Sequence, residues 1–285
     1  MFNFDYLFQI LQREYIRYAF IVGICMALCG ALLGVSLVLR KHSMIGDGLS
    51  HVGFGAVAVA ACLGWAPLPF AIPVVILSSF LILWLAEKSK IFGDSAIAVF
   101  STLALAIGYA AIEVGEGVSF NVNAYLYGSL LGVSEVEVIL SIIVTVIVFV
   151  LYLLLYHKIF SITFDPVFSK STGTKTNLIN VILSILTSLV VVIGMKLMGA
   201  LLITSLIIFP TLSARQLFKT FKKVTIFAMV FSVVSFILGL LLACIIDRMP
   251  IGSSIVIVSF IVCIITFIVG KIINMRKNKE KVEEK

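Results

Sequence analysis

Residues 138–156 read "VILSIIVTVIVFVLYLLLY", nineteen positions without a charge. A half-buried strand alternates apolar and polar positions, and a barrel strand spans a membrane in about ten residues. This run does not alternate and is twice that length. About 20 apolar residues coiled as a helix cross the ~30 Å hydrocarbon core of a bilayer. The stretch therefore reads as a transmembrane helix. Similar apolar runs occur at 18–39, 44–64, 68–86, 94–113, 136–157, 178–196, 198–213, 224–246 and 251–273. The expected fold is all-α, a polytopic transmembrane helical bundle of about eight or nine spans. Residues 1–285 form one transmembrane domain, with a membrane region at 18–273 and a basic tail at 274–285.

Composition agrees. The chain is 61% hydrophobic and 12% charged, with a mean hydropathy of +1.21. Soluble domains carry roughly 25% charged residues. The first sixteen residues are mixed polar and aromatic and contain no signal peptide. Residues 2–16 read either as an amphipathic surface helix or as a frayed tail. The stretch 121–134, "NVNAYLYGSLLGVS", is too short to span and reads as re-entrant or interfacial. All five cysteines fall inside apolar runs. They read as small packing residues and not as a disulfide framework. "MALCGALLGVSL" (26–37) and "MKLMGALLITSL" (195–206) agree at eight of twelve positions, a hint of a parallel repeat.

The net charge is +7. The basic residues lie between the apolar runs, which reads as positive-inside bias and excludes a nucleic-acid partner. Seventeen of the 21 lysines and arginines fall on one side of the nine-span topology. That side is expected to be cytoplasmic, with the C-terminus inside and, for nine spans, the N-terminus outside. The other side carries an acidic loop with Glu113, Glu116, Glu135 and Glu137. It raises the local cation concentration or is simply excluded from the inside.

Four stretches carry polar chemistry. In "SMIGDGLSHVGFG" (43–55), Asp47 and His51 share a helix face, with Cβ atoms about 5–6 Å apart. An ionisable group within a membrane helix costs at least ~2.5–3.5 kcal/mol. Carboxylate plus imidazole suits a first-row divalent metal such as zinc or manganese. Two ligands leave the shell to be completed by another helix, a second copy of the chain or water. An internal Asp–His hydrogen bond, or an end group snorkelling near Arg40, remains open on spacing alone. Gly46, Gly48, Gly53 and Gly55 allow close helix approach or local unwinding.

In "TFDPVFSKSTGTK" (163–175), Asp165–Pro166 starts a short helix that bears Phe168 and ends near Gly173. It reads as a knob for a soluble partner or as an ordinary loop. In "KLMGALLITSLIIFPTLSAR" (196–215), Thr204, Ser205, Thr211 and Ser213 place hydroxyls in an apolar helix that Pro210 interrupts. Such a helix lines a pathway or simply packs. "CIIDRMPIGSSIVI" (244–257) reads as a tight outer hairpin carrying Asp247.

These four stretches, in this order, resemble the permease subunit of the ABC-3 family of zinc and manganese importers. "LRKHSMIGDGLSHVGFGA" is similar to that family's Arg-x-x-Ser-x-x-Gly-Asp-x-x-Ser-His segment, and "FDPVFSKSTG" to its ATPase-docking segment. "KLMGALLITSLIIFPTLSAR" is similar to its Gly-x-Leu-Leu…Pro helix, and "DRMPIGSSIVIV" to the turn before its final helix. The chain departs from the pattern in Phe209, Thr211 and Ser213, where relatives often have smaller residues.

The resemblance implies a multi-pass protein of the bacterial plasma membrane that works as a homodimer. An ABC ATP-binding subunit and an extracellular metal-binding solute-binding protein are the implied partners. Asp47 and His51 match the metal site. Asp165, Pro166, Phe168 and Gly173 match the docking segment, and Ser50, Thr204, Pro210 and Asp247 the pathway. The transported ion would be zinc, as in Gram-positive zinc-uptake permeases, with manganese or iron the alternative. No permanently bound cofactor is implied. The chain has no GxxxxGK[ST] phosphate loop, so it is not itself expected to be an enzyme. An ATP-independent secondary metal transporter is one rival. A membrane-embedded metal hydrolase is another, and three histidines in the chain argue against it.

Overall fold

The structure, a computed structural model, describes residues 13–88, 93–115, 128, 132–246 and 249–283. The helices are α1 Glu14–Leu39, α2 Ile45–Cys62, α3 Pro67–Lys88, α4 Gly93–Val114, α5 Glu135–Phe164, α6 Pro166–Ser171, α7 Thr176–Met198, α8 Ala200–Leu217, α9 Phe221–Ile245 and α10 Ile251–Glu283. Nine of them, all but α6, are long and apolar enough to cross a membrane. Most of the expected surface helix at 2–16, most of 121–134, and Asp247 lie outside the described residues.

The spans sort into two layers. In α1, α2, α7 and α8, 61–78% of the most apolar stretch is buried, against 17–33% in α3, α4, α5, α9 and α10. The outer five turn large apolar side chains outward, among them Leu77 and Phe80 on α3, Leu103 on α4, and Val146 and Leu153 on α5. A surface of this kind suits lipid tails and not water. Apolar residues cover every face of these helices, so the sequence gives little clue to which face turns inward.

Without a hydrophobic drive between helices in lipid, close packing and polar contacts must join them. α8 packs against α1, α2, α7, α9 and α10, and α1 against α5, α7, α8 and α9. In α1, Gly30 and Gly34, one turn apart, lie on the α8 backbone at Leu206 and Ile207. A Cβ at Gly34 would enter the Ile207 carbonyl. Hydroxyl bonds staple several pairs. Ser232 on α9 donates to the Ala27 carbonyl of α1 at 2.9 Å. Ser254 on α10 donates to the Gly239 carbonyl of α9 at 2.8 Å, and Ser188 on α7 meets Ser79 on α3 at 2.9 Å. The cysteines are free thiols, with Cys62 donating to the Ala111 carbonyl at 2.9 Å.

α5 outruns its apolar stretch, continuing through His157 and Lys158 to Phe164. A capping box of Ser134 with Glu137 starts it. Pro166 ends it, because the residue before proline is driven out of the helical region, and Asp165 sits at φ −143°. α7 and α8 are separated by Gly199 alone, at φ 92° and ψ 154°. That region is open essentially only to glycine. The backbone of Gly128 abuts the Met198–Gly199 break. Residues 26–37 lie within one helix while 195–206 straddle this break. The sequence likeness between the two is therefore not matched by a common local structure.

Candidate metal centre

Asp47 lies in the first turn of α2 and His51 one turn later. The amide groups at a helix N-terminus favour a carboxylate there. The helix runs unbroken from Ile45 to Cys62, so the glycines serve close approach and not unwinding. Gly48 and Gly55 face α4 at Ile97 and Ala104, Gly46 faces Ile207 of α8, and Gly53 faces Met195 of α7. With α3, which also packs on it, four neighbours hold the helix that carries the pair.

His51 Nε2 stands 3.6 Å from Asp47 Oδ2. An N–H···O bond takes about 2.7–3.2 Å, so the internal hydrogen bond that spacing left open is not made. His51 Nδ1 is buried without a hydrogen-bond partner. Two ligands each about 2.0–2.1 Å from a tetrahedral ion stand about 3.3–3.4 Å apart. The observed separation is a small rotation from that value. Asp47 is 41% exposed and His51 23%, so an ion has access to both. Among the described residues no third histidine, cysteine or acidic side chain joins them. One chain thus brings two candidate ligands together.

The pair sits toward the membrane face that carries Arg40, because α2 begins just after the 40–44 loop. His42 in that loop is largely buried, and its Nδ1 has no hydrogen-bond partner. Burial pushes its pKa down from the usual histidine value, the Arg40 charge lowers it further, and Asp94 of α4 opposes both. Arg40 donates to Asn180 Oδ1 of α7 at 2.9 Å.

The other candidate residues divide. Thr204 on α8 lies beside the start of α2, its methyl facing Gly46. Ser50 is fully buried and donates to the Asp47 carbonyl at 2.7 Å. Pro210 is buried within α8. Ser50 and Pro210 therefore reach no solvent in this conformation. Asp47 and His51 are brought together with Thr204 nearby. The 165–173 segment lies elsewhere, beyond the end of α5.

That segment forms the short helix α6. The Asp165 carboxylate accepts from the Phe168 amide at 2.8 Å, and Pro166 occupies the first helical position. Gly173 takes the left-handed conformation at φ 81° just past the helix end. Ser169 is buried against Ser161 of α5, while Val167 and Phe168 are 78% and 60% exposed. A rigid mount with an apolar outer face is the result.

Sequence reasoning missed one ion pair. Glu137 of α5 and Lys196 of α7 meet at 2.7 Å, where the acidic-loop reading had Glu137 as unpaired charge. The only signal was that both sit at the face opposite the basic loops; nothing local links residues so far apart. Glu116 of that loop lies outside the described residues, and Glu113 is exposed.

Known proteins match the chain over most of its length. The model of the ABC 3 transport family covers residues 12–270. The chain belongs to the ABC 3 transport family. It is thus a multi-pass membrane component of an ABC transporter. This ABC-3 permease is 29% identical to the high-affinity zinc uptake system membrane protein ZnuB of Haemophilus influenzae, over 85% of this chain and 92% of that one. It is 27% identical to the manganese transport system membrane protein MntC of Halalkalibacterium halodurans, over 91% and 89% respectively. Among solved structures it is similar to PsaBC from Streptococcus pneumoniae in complex with Fab. The TM-score is 0.81 at 25% identity, covering 92% of this permease and 94% of that chain.

Proposed function

We propose that this permease moves zinc inward through a centre made by Asp47 and His51 of two copies of the chain. The observation that carries the reading is the 3.6 Å separation of His51 Nε2 and Asp47 Oδ2, too long for a hydrogen bond and close to the spacing of two ligands on one ion. Two copies would supply four ligands, a full tetrahedral set. Zinc is favoured over manganese on ligand chemistry, since imidazole suits zinc while carboxylate suits either. Identity does not choose, since the zinc and manganese relatives are almost equally similar at 29% and 27%.

Residues 1–285 act as one transmembrane domain, with the Arg40 face and the C-terminus in the cytoplasm. Energy comes from a separate ATP-binding subunit that docks on α6, where Asp165, Pro166 and Gly173 fix the helix and Phe168 enters the partner. An extracellular metal-binding protein delivers the ion at the opposite face. Thr204 and Pro210 on α8, with Ser50 behind Asp47 and Asp247 at the outer turn, border the route. ATP-driven movement of α6 alternates access to the pair.

The test is uptake into vesicles holding the permease and its ATP-binding subunit, with zinc and manganese supplied separately. Zinc uptake should require ATP and fall at least tenfold in both Asp47→Ala and His51→Ala. Uptake that persists without ATP makes the chain a secondary transporter. Uptake unchanged in both variants removes the pair from the pathway.

A further inference from the structure

An exposed face of α3 and α7 carries a groove the transport reading does not use. Along it, Pro73, Ile76, Leu77, Phe80 and Ile185 line an apolar cleft of about 400 Å³. Phe80, Val181 and Ser184 are shared with a second cleft of about 270 Å³, which adds Leu83, Trp84 and Leu178. Asn177 and Asn180 in turn join that cleft to a cavity of about 920 Å³ at the basic face. The three lie in a row, each sharing wall residues with the next. From Pro73 to Trp84 the row runs about 17 Å at 1.5 Å per residue, close to the ~15 Å of one leaflet's hydrocarbon.

The cavity at its end differs in chemistry. Arg40, Lys41, Lys170, Thr176, Asn177 and Asn180 contribute to its wall, and among the described side chains no acidic one does. Asn180 fixes Arg40 at 2.9 Å. Lys41 adds an independent sign. It is the one non-glycine residue among those described with a positive φ, at 63°. The His42 amide bonds back to the Leu37 carbonyl at 2.9 Å and the Lys41 amide to that of Val38 at 3.1 Å. Glycine is usual at this position after a helix. The chain keeps a lysine there at a steric cost, and that lysine stands at the cavity wall.

A greasy channel one leaflet long, ending in a cationic, amide-lined cup with an indole at the junction, has the shape and polarity of a phospholipid. We propose that this groove holds one anionic phospholipid of the inner leaflet, its phosphate in the cup between Lys41, Lys170 and Arg40 and an acyl chain between α3 and α7. The inner-leaflet assignment rests on the orientation proposed above. The head group bridges α6, through Lys170, to the loop that leads into Asp47. The lipid therefore joins the docking helix to the metal-bearing helix.

Trp84 borders the groove, and the other tryptophan, Trp65, lies in the loop between α2 and α3 at the opposite face. The full chain carrying Trp65→Phe is placed in nanodiscs of phosphatidylcholine, doped with brominated phosphatidylglycerol or, separately, brominated phosphatidylcholine. Trp84 fluorescence is read without metal or ATP, so a failure here is separate from a failure of the transport reading. Half-maximal quenching should need far less of the anionic lipid than of the neutral one. Each lysine near a membrane surface contributes about fivefold in binding. Lys41→Gly should therefore raise the half-quenching fraction of the anionic lipid about fivefold, and adding Lys170→Gln about 25-fold in all. Lys41→Gly also relieves the backbone, so its effect is not a folding defect. Equal quenching by both lipids, or anionic preference untouched by the lysine variants, overturns the proposal. So does loss of the anionic quenching when the ATP-binding subunit is added, which would make the cup a protein-docking surface.

Discussion

The glycines of α2 give a sharp test, because two of them two residues apart meet different kinds of neighbour. A Cβ at Gly55 would enter the backbone carbonyl of Ala104, and Gly55 also lies against Gly108 of the same helix. A Cβ at Gly53 would meet the terminal methyl of Met195 at 3.0 Å. A methionine end shifts easily, whereas a helix backbone does not. In Gly55→Ala, overpacking costs about 1–3 kcal/mol and the better helix propensity of alanine returns at most about 1 kcal/mol. The net loss is up to about 2 kcal/mol, a fall in Tm of up to about 8 °C at about 2–4 °C per kcal/mol. In Gly53→Ala the two effects nearly cancel, to within about 0.5 kcal/mol or 2 °C. Thermal unfolding of the purified variants in one detergent, followed by thiol-reactive dye at the free cysteines, reads both. Zinc uptake should fall in Gly55→Ala, since α4 is pushed from the helix that bears Asp47. Equal Tm values for the two variants would refute the claim that backbone contact between α2 and α4 is why Gly55 is glycine.

Three further outcomes are expected. Asp165→Ala removes the cap on the Phe168 amide and should cost α6 about 1 kcal/mol. The measurement is stimulation of the ATP-binding subunit's hydrolysis, which should weaken in Asp165→Ala and be largely kept in Asp165→Asn. The Glu137–Lys196 pair is part-exposed, with side chains 20% and 34% accessible. A double-mutant cycle on unfolding should therefore give a coupling of only about 0.5–1 kcal/mol; a value near zero would mean the contact is idle. Burial lowers the pKa of His42, so the unfolded chain takes up this proton first as pH falls. Stability should be unaffected above about pH 6.5 and decline below it, and His42→Gln should flatten that decline. A loss that begins as pH rises would contradict the sign.

What could be read from the sequence was what local chemistry decides. The apolar runs placed the nine spans, since span length is set by the bilayer and not by a partner. Helix α6 was legible residue by residue. Asp165 as cap, Pro166 at the first position and Gly173 past the end act over a few residues each. The Asp47–His51 pair was legible because four-residue spacing fixes a helix face. Tertiary choices were not legible. Uniformly apolar helices carry no stripe to show that α8 packs against five others while α5 turns outward. The partner of Glu137 lies 59 positions away on another helix. The cup that Lys41 and Lys170 share exists only once α6 folds back beside the α1–α2 loop. Even the glycines of α2 were ambiguous in sequence, and only the nearness of Ala104 and Ile97 separates close approach from unwinding.

The central claim is that zinc is held by Asp47 and His51 from two copies of the chain. Zinc K-edge absorption on the full transporter, loaded with one zinc per permease dimer, tests it most directly. The prediction is nitrogen and oxygen ligands at about 2.0–2.1 Å with two imidazoles per zinc, and loss of the imidazole signal in His51→Ala. A sulfur ligand at about 2.3 Å, or a spectrum unchanged by His51→Ala, would contradict it.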